Sequence, residues 1–168
     1  MPPHLLRSRL WLPRPRAEVF AFFAEPENLA VITPPWLGFA VLSAPAPLRA
    51  GAVIDYRFRW LGLPLRWRSL ISEYAPPERF VDVQVRGPYA RWEHEHLFRE
   101  GIGAGSGETP AGTWVEDRVT YLLPLGPLGR LAQGLLVRRQ MEAIFAYRRR
   151  RLAERFGARG DPGGSAIP

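Results

Sequence analysis

The chain has 168 residues, 46% of them hydrophobic and 12% aromatic, which is the composition of one globular domain. It contains no cysteine, which excludes disulfides and thiolate chemistry and makes the cytoplasm the expected location. No apolar stretch approaches the roughly 18 residues of a membrane span, and the start of the chain lacks the layout of a signal peptide.

The first part of the chain predicts one strand and two short helices. The loose alternation of HLLRSRLWLP indicates a strand that the following prolines end. RAEVFAFFA then places Val19, Phe20 and Phe23 on one side of a helix over residues 16–24. Residues 27–31 add a second short helix before ITPPW.

Strand-like segments follow one another through the middle of the chain. They cover residues 38–43, 52–60, 65–74, 80–86, 91–98 and 113–122. Tight turns separate most of them, and a glycine-rich loop over residues 100–112, expected to be mobile, separates the last two.

One long helix is predicted from about Leu128 to Phe156, with an apolar stripe that includes Met141 and Phe145. The tail GARGDPGGSAIP is disordered by composition, so we expect a single domain over residues 1–157 and a tail over 158–168. Consecutive hairpins with helices on one face predict an α+β fold. A curved antiparallel sheet of six to seven strands around one long helix leaves a space for a ligand.

The segment RWEHEHLF, residues 91–98, has two histidines on its buried face. Alternation places Trp92, His94, His96 and Phe98 together, and the large aromatics at both ends mark this face as the inner one. The inner face of the returning strand is apolar apart from the carboxylate of Asp117.

A strand register can be estimated from the hairpin that joins these two strands. If Phe98 pairs with Thr113, His94 lies opposite Asp117. An isolated buried carboxylate is costly, so we expect the pair to form a hydrogen bond that holds the histidine tautomer and raises the histidine pKa.

Three stretches of the chain carry a resemblance to a known superfamily. They are AEVFAFFAEPENLAVITPPW (17–36), FVDVQVRGPYARWEHEHLF (80–98) and GTWVEDRVTYLLPLGPLG (112–129). Over residues 4–156 the chain resembles the START/Bet v 1-like (SRPBCC) superfamily, and within it the bacterial polyketide cyclase/dehydrase-like branch of ligand-binding proteins. The resemblance implies a helix-grip fold. It also implies that Asp82 and Gln84 point inward, although the alternating Val81, Val83 and Val85 favour the opposite orientation by hydrophobicity.

These observations predict a polar cluster inside an apolar cavity. The polar candidates are Asp82, Gln84, His94, His96 and Asp117, and the apolar candidates are Trp36, Trp60, Trp67, Trp92, Phe98, Tyr121, Met141 and Phe145. Trp36, in TPPWLGF, is placed at the cavity mouth. The cluster is interpreted as a structural network, as a ligand-orienting site or as an acid/base pair, and in the last case His94 and Asp117 are the catalytic candidates.

A metal is a further interpretation of the same residues. Two histidines two positions apart, with a carboxylate nearby, can bind a metal ion in principle. The sequence offers no further clear ligand, so we assign no metal and require no cofactor.

Four consecutive arginines, Arg148, Arg149, Arg150 and Arg151, lie late in the predicted terminal helix and contribute to a formal net charge of +7. Cations there complement the helix dipole, and a solvated helix face is the interpretation we favour. Contact with an anionic membrane is the alternative, and we expect no nucleic-acid partner. The oligomeric state is left as monomer or homodimer.

The sequence therefore predicts that a small hydrophobic or amphipathic molecule binds between sheet and helix. The protein would transport or sequester that molecule. One alternative is a cyclase or dehydratase that uses a His–Asp pair. A second is a lipid or quinone chaperone at a membrane surface.

Overall fold

Seven strands of alternating apolar and polar residues form one antiparallel sheet in the order β1-β7-β6-β5-β4-β3-β2. The structure is a computed structural model that describes residues 2–60, 62–103, 112–124 and 136–158. The strands are β1 His4–Leu12, β2 Ala40–Ser43, β3 Val53–Trp60, β4 Leu63–Ala75, β5 Arg79–Arg86, β6 Arg91–Gly101 and β7 Gly112–Leu122.

Short helices connect β1 to β2, and a long helix follows the sheet. The short helices are α1 Arg16–Ala24 and α2 Leu29–Ile32, and 3-10 turns at Pro26–Asn28 and Pro35–Leu37 follow them. The long helix, α3, spans Arg138–Phe156 and is about 28 Å long. It ends at Gly157, whose φ of 72° is a left-handed conformation that glycine adopts without strain.

The predicted architecture is confirmed. The sheet has seven strands, two short helices follow the first strand, and the terminal helix packs on the sheet as a helix-grip fold requires. The side chains of Val19, Phe20 and Phe23 are buried, as the helical periodicity of α1 predicts. The predicted first turns of the long helix (128–135), most of the glycine-rich loop (104–111) and most of the tail (159–168) lie outside the described residues.

The predicted register of the β6–β7 hairpin is wrong by two residues. Phe98 pairs with Val115, His96 with Asp117 and His94 with Val119. Pairing continues as far as Gly101 and Gly112, so the strands are longer and the loop is shorter than the glycine content suggests. Because side chains alternate with a period of two, this shift leaves the inward-facing set unchanged.

Two clusters of buried side chains hold the sheet and helices together. The larger one joins α1 and the end of α3 to the sheet through residues such as Phe20, Phe98 and Leu152. The smaller one packs Met141 and Phe145 of α3 against β1 and β7. Register shifts between β4 and β5 mark irregularities of the kind that bend a sheet. Within the described ranges, no helix is long and apolar enough to cross a membrane.

Candidate ligand site

A cavity of about 200 Å³ lies between the inner face of the sheet and α3. This volume is far above the roughly 10–15 Å³ that one water molecule requires. Eight of the side chains that the sequence singled out line it: Trp60, Trp67, Asp82, Trp92, His94, His96, Met141 and Phe145. The structure therefore brings most of the predicted residues together around one space.

Aromatic side chains form most of the wall that β3 and β4 contribute. Trp67 is buried and stacks on Tyr56 with ring centroids 5.9 Å apart. The ring of Trp92 meets Trp67 edge-on at 5.1 Å. Trp60 donates its indole N–H to the side chain of Gln140 on α3, which ties the free end of β3 to the helix. The wall is thus largely aromatic.

Three of the predicted aromatic residues do not line this cavity. Phe98 is only 1% exposed and packs between Phe20 and Phe23, with ring centroids 5.2 and 5.0 Å away. Tyr121 is buried in the smaller cluster. Trp36 is 57% exposed and rests on Tyr147 at 5.7 Å. Spacing alone did not separate core positions from cavity positions, because both lie on the same inner face.

Gln84 and Asp117 also lie outside the lining, each for a local reason. The Gln84 amide donates to the carbonyl oxygen of Tyr89 and accepts from its N–H, so it braces the β5–β6 turn. Tyr89 itself lines the cavity. Asp117 lies on β7 and is buried next to the two histidines of the neighbouring strand β6.

Two carboxylates hold the histidine pair from opposite sides. Asp82 Oδ2 is 3.1 Å from His96 Nε2 and 3.6 Å from His94 Nδ1. Asp117 Oδ1 is 3.0 Å from His94 Nε2 and 3.1 Å from His96 Nδ1. Each imidazole therefore lies between the two carboxylates, with Asp82 on the cavity side and Asp117 on the inner side.

Arg148 completes the cluster, and the sequence analysis did not identify it. Its guanidinium is 3.2 Å from Asp117 Oδ1 and 3.2 Å from His96 Nδ1, and the residue is only 7% exposed. The burial of Arg148 could have been predicted, because it follows the helical repeat of the apolar stripe, which includes Met141, Phe145, Arg148 and Leu152. We assigned Arg148 to the solvent because a run of four charged residues usually lies on a solvated helix face.

Each of the remaining arginines of the run has a hydrogen-bond or ion-pair partner, and membrane contact through them stays a prediction. Arg149 donates to Ser8 Oγ at 3.2 Å, and Arg150 and Arg151 both pair with Glu154. The prediction of membrane contact through this run is wrong for Arg148, which is buried against Asp117.

The predicted rise in histidine pKa is wrong for His94. Its burial and the neighbouring His96 lower the pKa of His94 to about 4, against the opposing effect of Asp117 and Asp82. Desolvation of a buried imidazolium outweighs the attraction of the carboxylates. His94 is therefore neutral at neutral pH.

Both carboxylates remain ionised. Burial by itself would raise the pKa of Asp117, but the Arg148 guanidinium and the hydrogen bonds from both histidines hold this pKa well below its usual value. Burial also acts to raise the pKa of Asp82, and the hydrogen bond from His96 with the nearby histidines more than offsets it. The carboxylates of Asp82 and Asp117 and the guanidinium of Arg148 sum to one net negative charge in the cluster.

The polar surface continues along β4. Ser69 is buried, accepts a hydrogen bond from Trp67 at 2.9 Å and donates to Asp82 Oδ1 at 3.3 Å. Tyr56 lies 3.4 Å from the same hydroxyl. The sequence analysis did not include Ser69 among the site residues, although its position between the buried Trp67 and Ile71 places it on the inner face.

No protein-family model matches this sequence, and a search of curated proteins gives no significant match. Solved structures do match. TTHA0849 from Thermus thermophilus is 24% identical with a TM-score of 0.62, over 92% of this chain and 98% of that one. A START superfamily protein from Mycobacterium smegmatis is 11% identical with a TM-score of 0.62, over 90% and 98%.

A plant protein matches as well. The ginseng major latex-like protein 151 from Panax ginseng is 15% identical with a TM-score of 0.53, over 85% of this chain and 97% of that one. At these identities the likeness concerns the fold, and it agrees with the resemblance found in the sequence. The chain therefore has the helix-grip fold of the START/Bet v 1-like superfamily.

Proposed function

We propose that this protein binds a small hydrophobic or amphipathic molecule in the cavity between the sheet and α3. The observation that carries the proposal is a largely apolar cavity whose wall includes a compact cluster of ionisable side chains. Aromatic and aliphatic side chains line most of it, whereas the ligand atoms of Asp82, His94 and His96 lie within 4.8 Å of one another in its wall. Such a division suits a ligand with an apolar body and one polar end.

The polar wall selects the kind of group that the ligand presents. Asp82 is an ionised acceptor at the cavity surface, and its pKa is lowered by the adjacent histidines. Arg148 also reaches the lining and is a donor. A hydroxyl group, which both donates and accepts, satisfies this wall better than a purely apolar end.

Acid/base catalysis is the weaker alternative. The pKa of His94 is about 4 because burial and His96 disfavour its charged form. A general base works best when its pKa is near the operating pH, so His94 is poorly matched to a cyclisation or dehydration at neutral pH. We therefore propose binding as the function of the cavity.

A matched pair of tryptophan substitutions on α3 tests the proposal. Ile144 lines the cavity, whereas Ala143 is exposed on the other side of the same helix. We expect Ile144→Trp to fill the cavity and to weaken binding of anilinonaphthalene sulfonate by at least about tenfold, a loss of about 1.4 kcal/mol. Ala143→Trp should leave binding unchanged. Fluorescence titration of the folded variants measures this, and equal affinities would place the dye outside the cavity and contradict the proposal.

A further inference from the structure

On its cavity side, the histidine pair has a ring nitrogen close to a carboxylate oxygen, and both atoms can donate an electron pair to a metal ion. His94 Nε2 lies 3.0 Å from Asp117 Oδ1. The other ring nitrogen, His94 Nδ1, lies 3.6 Å from Asp82 Oδ2 on the cavity side. A ring nitrogen and a carboxylate oxygen at this separation can both bind one cation placed between them.

His96 brings a third ligand atom to the same point. Its Nε2 is 3.1 Å from the same Asp82 Oδ2. No two of the candidate ligand atoms from Asp82, His94 and His96 are more than 4.8 Å apart. Ligands held at about 2.0–2.2 Å around a tetrahedral ion lie roughly 3.3–3.6 Å from one another. The separations of 3.1 and 3.6 Å between these atoms lie close to that range.

We propose that Asp82, His94 and His96 bind one divalent transition-metal ion at the cavity wall. Two imidazole nitrogens and one carboxylate oxygen form a donor set that suits zinc, iron or cobalt better than magnesium or calcium, which prefer oxygen ligands. All three side chains line the cavity, so an ion that they bind would be accessible from it.

Asp117 and Arg148 supply the outer support of this metal site. Asp117 Oδ1 lies 3.0 Å from His94 Nε2 and 3.1 Å from His96 Nδ1, and the Arg148 guanidinium also lies 3.2 Å from His96 Nδ1. Metal-binding histidines usually donate their other N–H to a carboxylate, which orients the ring and increases its basicity. Arg148 holds that carboxylate in place at 3.2 Å. The sequence analysis placed Asp117 beside His94, and the structure adds that the same carboxylate oxygen lies beside both rings.

The charges of the cluster are compatible with a bound cation. The carboxylates of Asp82 and Asp117 and the guanidinium of Arg148 together leave one negative charge. A bound divalent ion would change the net charge of the cluster from −1 to +1. An anionic or strongly electron-donating group on a cavity ligand would then offset this positive charge. The metal site itself goes beyond the proposed ligand binding and does not depend on it.

Zinc binding by the untagged, chelator-treated protein tests the proposal. We expect one zinc ion per chain by isothermal titration and native mass spectrometry, with no displacement by magnesium. Asp117→Asn should weaken zinc binding about 10–100-fold, and Asp82→Asn and His94→Ala should weaken it at least as much. His4, the third histidine of the chain, lies on β1 near Tyr121, and His4→Ala is the matched control that should bind zinc as the unmodified protein does.

Cobalt binding to the unmodified protein tests the same site without relying on variants that do not fold. The visible absorption of the cobalt-loaded unmodified protein should indicate a four- or five-coordinate site with nitrogen and oxygen ligands. Failure of the unmodified protein to bind one zinc ion, or unchanged affinity in folded Asp82→Asn, would overturn the proposal. Ile144→Trp separates the two proposals, because it should block the hydrophobic dye and leave zinc binding intact.

Discussion

Replacing Arg148 with methionine is expected to lower the free energy of unfolding by about 3–5 kcal/mol. The substitution keeps an unbranched apolar side chain in the helix stripe but removes the guanidinium 3.2 Å from Asp117. Asp117 would then be a buried carboxylate held only by the two histidines. Removing one partner of a buried ion pair leaves the other charge without compensation, which is the source of the large effect. Urea unfolding monitored by circular dichroism measures it.

Arg150 provides the control for this prediction. It lies two residues later on α3, its side chain is 66% exposed, and its ion pair with Glu154 spans 3.8 Å. Exposed pairs of this kind contribute little, so Arg150→Met should change the free energy of unfolding by less than about 0.5 kcal/mol. If both variants are equally stable, Arg148 does not neutralise Asp117 in the folded protein.

The second large effect is expected from Phe98→Ala, at about 3–5 kcal/mol of lost stability. Phe98 is 1% exposed and packs edge-on against Phe20 and Phe23. Its removal leaves a void among rings that cannot collapse onto it. Thermal and urea unfolding both report this loss, and a decrease below about 1 kcal/mol would show that the position is not part of a close-packed core.

Phe58 is the matched control for Phe98. It is half-buried, and it lines the cavity rather than the core. Because part of its ring already faces open space, Phe58→Ala should destabilise the protein less than Phe98→Ala. It should also weaken binding of the hydrophobic dye, which Phe98→Ala should affect only through stability. The pair thus separates core residues from cavity residues on one sheet face.

The strand faces could be predicted from the sequence because side chains alternate with a period of two. That period placed His94, His96 and Asp117 on the inner face even though the register was wrong by two residues. The register itself depends on how far pairing extends into the glycine-rich hairpin. Composition does not determine this extent, since Gly101 and Gly112 pair as strand residues.

The site could be predicted only in part, because its electrostatics depend on groups distant in sequence. Arg148 reaches Asp117 and His96 from a helix that follows the sheet. The pKa of His94 is lowered because burial outweighs the attraction of the carboxylates, and the sequence does not give the degree of burial. Cavity volume also depends on packing, which explains why Phe98, Tyr121 and Trp36 were grouped with the true lining residues.

Native mass spectrometry of the freshly purified protein, followed by incubation with a mixture of small hydrophobic molecules, tests the central claim most directly. Binding in the cavity predicts a discrete added mass on the unmodified chain, either at purification or after incubation, and its loss in Ile144→Trp but not in Ala143→Trp. A chain that remains at its bare mass in both experiments would contradict the proposal that the cavity is a ligand site.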